Sequence, residues 1–121
     1  DEALEQVTVV DDQIGRLTFT QDMARAIFFL IDRDAPYGTY DLTSSGDSVS
    51  WAAIAREVFA QANGNGQAVK PISTEEYFAN ATAPVSPRPT YSTLDLAKIE
   101  ETGFEPSDWR DELHAYVAAA R

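Results

Sequence analysis

The sequence predicts an α/β domain from three linked segments. Thr39–Thr43 (TYDLT) alternates as a strand does, the stretch from Ser50 carries the clearest helical periodicity, and Ala68–Ile72 is strand-like again. A strand, a helix and a strand within about 35 residues make a small βαβ unit, whose two strands run parallel and are joined by a right-handed crossover. No repeat, low-complexity tract or Gly/Ser linker interrupts residues 1–121, which are therefore expected to form a single unit.

Along the chain, Val7–Val10 is a β-branched run ending at two aspartates, the pattern of a buried strand followed by a polar loop. Thr20 is placed to cap the next helix, with Asp22 in its first turn facing the positive end of the helix dipole. Met23, Ala26, Ile27, Leu30 and Ile31 mark its apolar face. Phe28 and Phe29 widen that face, which predicts a helix covered on more than one side. Pro36 and Gly38 supply turn chemistry before TYDLT. Ser50 is a natural N-cap for a helix whose Trp51, Ile54, Ala55, Val58, Phe59 and Ala62 repeat at helical spacing. Asn63-Gly64-Asn65-Gly66 tolerates the left-handed conformation that closes such a helix.

Pro71 marks Ala68–Ile72 as an edge strand or one that ends early. Ser73-Thr74-Glu75-Glu76 has capping-box spacing and opens a short helix through Phe78. Pro84, Pro87 and Pro89 forbid a helix between Asn80 and Tyr91, leaving a stiff extended loop that presents Arg88 between two prolines. A short helix over Asp95–Glu101 stops at Gly103. Ser107 then caps a last helix with the stripe Trp109, Leu113, Tyr116, Val117 and Ala120.

Composition narrows the function classes. With 9 Lys+Arg against 20 Asp+Glu and a net charge of -11, the chain lacks the basic footprint that nucleic-acid binding requires. A hydrophobic content of 44% is enough for a folded core. The lack of cysteine removes disulfides, thiol catalysis and Cys-bound zinc, and fits a cytoplasmic setting. The longest strongly apolar run, Ala26–Ile31, is far shorter than the roughly 20 residues of a membrane span. The chain opens on Asp1-Glu2-Ala3 without methionine and reads as a processed product, a cut piece or the visible part of something longer.

Few residues carry candidate chemistry. His114 lies beside an apolar stripe with no interpretable partner, and reads as a boundary or surface residue. Asp11-Asp12, Glu75-Glu76 and Glu100-Glu101 lack calcium-loop spacing, so no metal site is expected. Neither a G-x-G-x-x-G turn nor a Walker loop is present. Arg16 in DQIGRLT and Arg88 in SPRPTYS are the cations of interest, because a guanidinium fork can hold phosphate oxygens in two places. The plainer alternative is a surface arginine paired with one of the abundant acids. Trp51, Trp109 and most other aromatics sit at core spacing and read as packing, with Tyr91, after the proline loop, as the exception.

These loops carry a family resemblance. Val9-Val10-Asp11-Asp12-Gln13-Ile14-Gly15-Arg16-Leu17-Thr18, then Ser50-Trp51, then Arg88-Pro89 followed by Ser92-Thr93-Leu94-Asp95 and Lys98, resembles dTDP-4-dehydrorhamnose reductase, an extended short-chain dehydrogenase/reductase. The similarity runs from Val7 onward and corresponds to the C-terminal, substrate-binding portion of a Rossmann-like enzyme. Leu17 departs from the family, where proline is usual before the threonine, and implies a less rigid loop.

The resemblance implies that NADPH delivers hydride to the 4-keto carbon of a dTDP-6-deoxy sugar while a tyrosine, with lysine four residues later, donates the proton. No tyrosine here has that lysine, and the Gly-rich turn is missing. Both would lie upstream, so no catalytic or cofactor-binding residue is expected in this chain, which alone should bind no NADPH and be inactive. Gln13, Gly15 and Arg16 are implied as a wall of the dTDP-sugar pocket, Arg88 as a contact to the diphosphate or nucleoside, and Tyr91 as a further substrate contact. The upstream Rossmann part would be this portion's partner, with no membrane or nucleic acid involved. In a piece lacking it, Val7–Val10 would keep an open apolar edge able to pair with a second copy. The rival from another class is a free-standing acidic α/β module that binds a protein.

Overall fold

The computed structural model describes residues 6–120. In chain order its elements are β1 (Val7–Val10), β2 (Ile14–Gly15), α1 (Thr20–Asp32), β3 (Val49–Ser50), α2 (Trp51–Asn63), a 3-10 turn at Gly66–Ala68, β4 (Val69–Ile72), α3 (Thr74–Tyr77), α4 (Ala97–Glu100) and α5 (Trp109–Ala120). They divide between two compact units: residues up to Gly15 with Ser48–Ser92, and Arg16–Asp47 with Thr93–Ala120.

In the first unit β1 and β4 form a parallel ladder, Val7 opposite Val69 and Val10 opposite Ile72, and α2 packs on both strands. The expected parallel pair is therefore present, but its first strand is β1 and not Thr39–Thr43, which belongs to no ladder. α2 begins and ends as its sequence dictates. The Ser50 hydroxyl accepts from the Ala53 N–H at 3.1 Å, and Gly64 takes the left-handed conformation (φ 75°) just past the last turn. Ser73 caps α3 in the same way, accepting from the Glu76 N–H at 3.1 Å. Pro71 has no N–H for a ladder. It lies in β4, which among the described residues pairs with β1 alone.

The second unit is built on a small core of Ala26, Leu96, Ile99 and Phe104, with Phe29, Leu30, Tyr40 and Leu42 packed against it. Phe29 and Phe104 meet edge to face, ring centres 5.4 Å apart. Tyr40 and Leu42 turn inward while Asp41 is exposed, so TYDLT has the side-chain alternation of a strand without strand pairing. Thr43 and Ser44 bond instead to the Leu17 carbonyl.

Two helix starts differ from expectation. The N-cap of α1 is Phe19, with extended backbone and no side-chain cap, and Thr20 is already helical. Asp22 does not simply face the dipole. It is fully buried, and its carboxylate accepts from the Ser107 N–H (3.2 Å), the Ser107 hydroxyl (3.3 Å) and Arg25 Nη2 (2.6 Å). Ser107 is thus occupied by Asp22, and the first turn of α5 is served by Asp108, whose carboxylate accepts from the Arg110 N–H at 2.8 Å. Trp109 and Leu113 of α5 are buried, the Trp109 indole donating to the Asp47 carbonyl at 2.8 Å. Further along the expected stripe Val117 is half-buried, while Tyr116 is exposed with its ring centre 6.1 Å from that of Phe19.

α1 is covered on one side, not several. Ala26, Phe29 and Leu30 meet the core, whereas Met23, Ile27, Phe28 and Ile31 are exposed, Phe28 at 68%. The unit is too small to offer a second packing face.

Candidate functional site

The loop after β1 is held by its own acids. Asp11 accepts from the Ser50 hydroxyl at 2.6 Å, tying the loop to the start of α2. Asp12 accepts from both the N–H and the hydroxyl of Thr74, the N–H at 3.0 Å, tying it to the start of α3. The Thr74 hydroxyl, bonded side chain to side chain, and then its N–H hold the Asp12 carboxyl below the usual aspartate range, because both favour the charged form. Gln13 Nε2 donates to the Thr74 hydroxyl oxygen at 3.1 Å, so Gln13 extends the same chain of bonds. The paired aspartates that sequence alone could offer to a metal are anchors. Among the described residues no group of three His, Cys, Asp or Glu side chains could hold a metal ion.

Beyond Gln13 the chain enters β2, which is paired on both sides. Ile14 lies opposite Ser50 of β3 in an antiparallel ladder. On its other side Ile14 donates to the Thr90 carbonyl and accepts from the Ser92 N–H, each at 2.8 Å, a parallel bridge to Tyr91. Gly15 has a specific packing reason to be glycine: a Cβ there would stand 2.8 Å from the Ser92 hydroxyl oxygen, which itself donates to the Ile14 carbonyl at 3.1 Å. The Tyr91 ring is 62% exposed, its hydroxyl 3.4 Å from that of Ser48.

The first unit thus gathers Gln13, Gly15 and Tyr91 around β2, with Arg88 exposed three residues before Tyr91. Arg16 belongs to the second unit, where its guanidinium donates to the carbonyls of Leu94 (2.6 Å) and Gly46 (3.3 Å). No ion pair among the described residues involves Arg16 or Arg88, so neither has the carboxylate partner of the plainer alternative. His114 is exposed on α5.

One residue of this region escaped the sequence reading. Trp51 falls in the apolar series of α2 yet is 51% exposed, because Ala52 and Ile54 supply the buried contacts of that first turn. The signal was its place directly after the N-cap, where a side chain reaches past the end of the helix. A hollow of about 320 Å³ beside the loop is lined by Asp11, Asp12, Pro71, Ile72, Ser73 and Glu76. Its three carboxylates make it hostile to an anion.

A parallel strand pair under a helix, with two further segments paired to one short strand, defines an α/β domain. The chain belongs to the family described as the RmlD substrate binding domain, which it matches over residues 2–121. It is 38% identical over 116 residues to the spore coat polysaccharide biosynthesis protein SpsK of Bacillus subtilis (strain 168), covering 96% of this chain and 38% of that protein. With dTDP-4-dehydrorhamnose reductase of Streptomyces griseus it shares 35% identity over 112 residues, 88% of this chain and 35% of that one. Crystal structures named as dTDP-4-dehydrorhamnose reductases share the fold. The one from Clostridium acetobutylicum superposes with a TM-score of 0.84 at 32% identity, over 98% of this chain and 40% of that one. The one from Bacillus anthracis, in complex with NADP, gives 0.81 at 31%, over 99% and 40%. The chain therefore spans between 35% and 40% of the length of these relatives.

Among the described residues neither long helix that follows a strand opens on the glycine-rich turn that cradles a dinucleotide: α1 opens on Phe19, α2 on Ser50, and Gly64 closes α2 instead of introducing a helix. Among the described residues no helix is long and apolar enough to cross a membrane.

Proposed function

We propose that this chain is the substrate-binding portion of an NADPH-dependent reductase that converts dTDP-4-dehydrorhamnose to dTDP-L-rhamnose. The observation that carries the reading is the convergence of Ser50-Trp51 and the Arg88–Ser92 segment on Gln13-Ile14-Gly15, which holds β2, in a chain of this family. Gln13 and Gly15 form a wall of the sugar pocket. Thr74 holds the Gln13 amide nitrogen, leaving its carbonyl oxygen as the group that meets substrate hydroxyls. Tyr91 offers an exposed ring and hydroxyl. Arg88 contacts the diphosphate or the nucleoside, with no carboxylate competing for its charge. Within its own unit Arg16 is steadied by neutral carbonyls, which leave its charge uncancelled for an anionic group.

NADPH and the proton-donating tyrosine belong to the rest of the enzyme, and this chain by itself turns over no substrate. The outer edge of β1, unpaired among the described residues, is completed by strands of the longer protein or, in their absence, by a second copy. In the natural gene product, Arg88→Ala raises the Michaelis constant for the dTDP-sugar far more than that for NADPH. Equal effects on both would reject the assignment.

A further inference from the structure

We propose that Trp51 is a stacking residue for the nucleotide-sugar, an inference that rests on the function proposed above. Half of its surface is exposed although it opens a helix whose neighbouring Ala52 and Ile54 are buried, so the core of its unit does not use the ring fully. Its attachment point is nonetheless fixed. Ser50, the residue before it, is buried, donates to Asp11, caps α2 through the Ala53 N–H and lies opposite Ile14 in the β2–β3 ladder. A large ring held half in water on so constrained a backbone is arranged to receive a flat or apolar ligand face at low ordering cost.

The surroundings favour a nucleotide-sugar over a purely apolar partner. Trp51 follows the strand on one side of β2, and the segment on the other side carries Tyr91, also exposed, and Arg88. Two rings that take a base or a deoxysugar, and a cation that takes a diphosphate, thus issue from the two neighbours of one strand.

The test uses the protein with its natural flanking sequence, titrated with dTDP and with dTDP-L-rhamnose by calorimetry and by acrylamide quenching of tryptophan fluorescence. Trp109 is fully buried and Trp51 half exposed, so the part of the quenchable signal that disappears in Trp51→Phe is that of Trp51, and bound ligand shields it. Trp51→Leu, with the far-ultraviolet spectrum retained, weakens binding roughly tenfold or more. Loss for both ligands identifies the base as the stacked group, and loss for dTDP-L-rhamnose alone identifies the sugar. Trp51→Phe keeps a ring and recovers most of the affinity, which a collapsed first unit could not do. Wild-type binding with neither shielding nor loss in Trp51→Leu overturns this inference and leaves the proposed function standing. A wild-type protein that binds neither ligand overturns both.

Discussion

Gly15→Ala is expected to change the sign of its effect with the residue at position 92. The backbone of Gly15 is not left-handed, so alanine can adopt it, and the cost lies wholly in the contact its Cβ makes with the Ser92 hydroxyl oxygen at 2.8 Å. That oxygen can move only by rotating away from the Ile14 carbonyl, which gives up a hydrogen bond of about 0.5–1.5 kcal/mol. Against this, replacing glycine by alanine removes freedom from the unfolded chain and stabilises by about 0.4–1 kcal/mol. The single variant should therefore be destabilised by about 0.5 kcal/mol. In a Ser92→Ala background the obstruction is gone, and the same substitution should stabilise by about 0.4–1 kcal/mol. The coupling between the two sites is about 1 kcal/mol, well outside the additivity expected of independent positions. Urea unfolding of wild type, both single variants and the double variant, followed by Trp51 fluorescence from the same unit, measures it. An effect of Gly15→Ala that is the same in both backgrounds refutes the close-approach account of this glycine.

Two further perturbations probe the anchors. Folding holds the Asp12 carboxyl below its ordinary value of 3.8, so the stability it contributes is complete above that value and is lost as pH falls through the lowered one. Asp12→Asn should flatten the acid limb of the stability–pH curve below about pH 4, and an unchanged slope there would remove Asp12 as a source of acid sensitivity. Asp22→Ala leaves the half-buried Ser107 N–H and hydroxyl and the Arg25 guanidinium without their shared acceptor, and should cost about 1–3 kcal/mol in urea unfolding. A loss under about 0.5 kcal/mol would mean that water replaces the carboxylate there.

What could be read from the sequence divides by the range of the interactions involved. The Ser50 and Ser73 caps, the Gly64 stop and the β1 and β4 strands follow from residues within a turn or two of one another, and all are present. Two errors came from bonds made far along the chain. Ser107 was taken from α5 by Asp22, 85 residues away in sequence. TYDLT has the period of a strand, yet pairing needs a neighbouring backbone, which period cannot report; Ser44 found only the Leu17 carbonyl. Helical spacing likewise identified the apolar series of α1 and α2 but not how much of each its unit could cover, which is why Phe28 and Trp51 are exposed.

The paired aspartates bear on what remains for a ligand. In a chain of net charge -11, two adjacent carboxylates in the loop after β1 would repel a diphosphate if they faced it. Asp11 is bonded to Ser50 and Asp12 to Thr74, and both line the acidic hollow with Pro71, Ile72, Ser73 and Glu76. The groups on and around β2 are of a different kind: a glutamine carbonyl, two exposed aromatic rings, and an arginine with no carboxylate partner among the described residues. The loop's negative charge serves to fix its shape, and the polarity that the proposed nucleotide-sugar site calls for lies on the segments it holds in place.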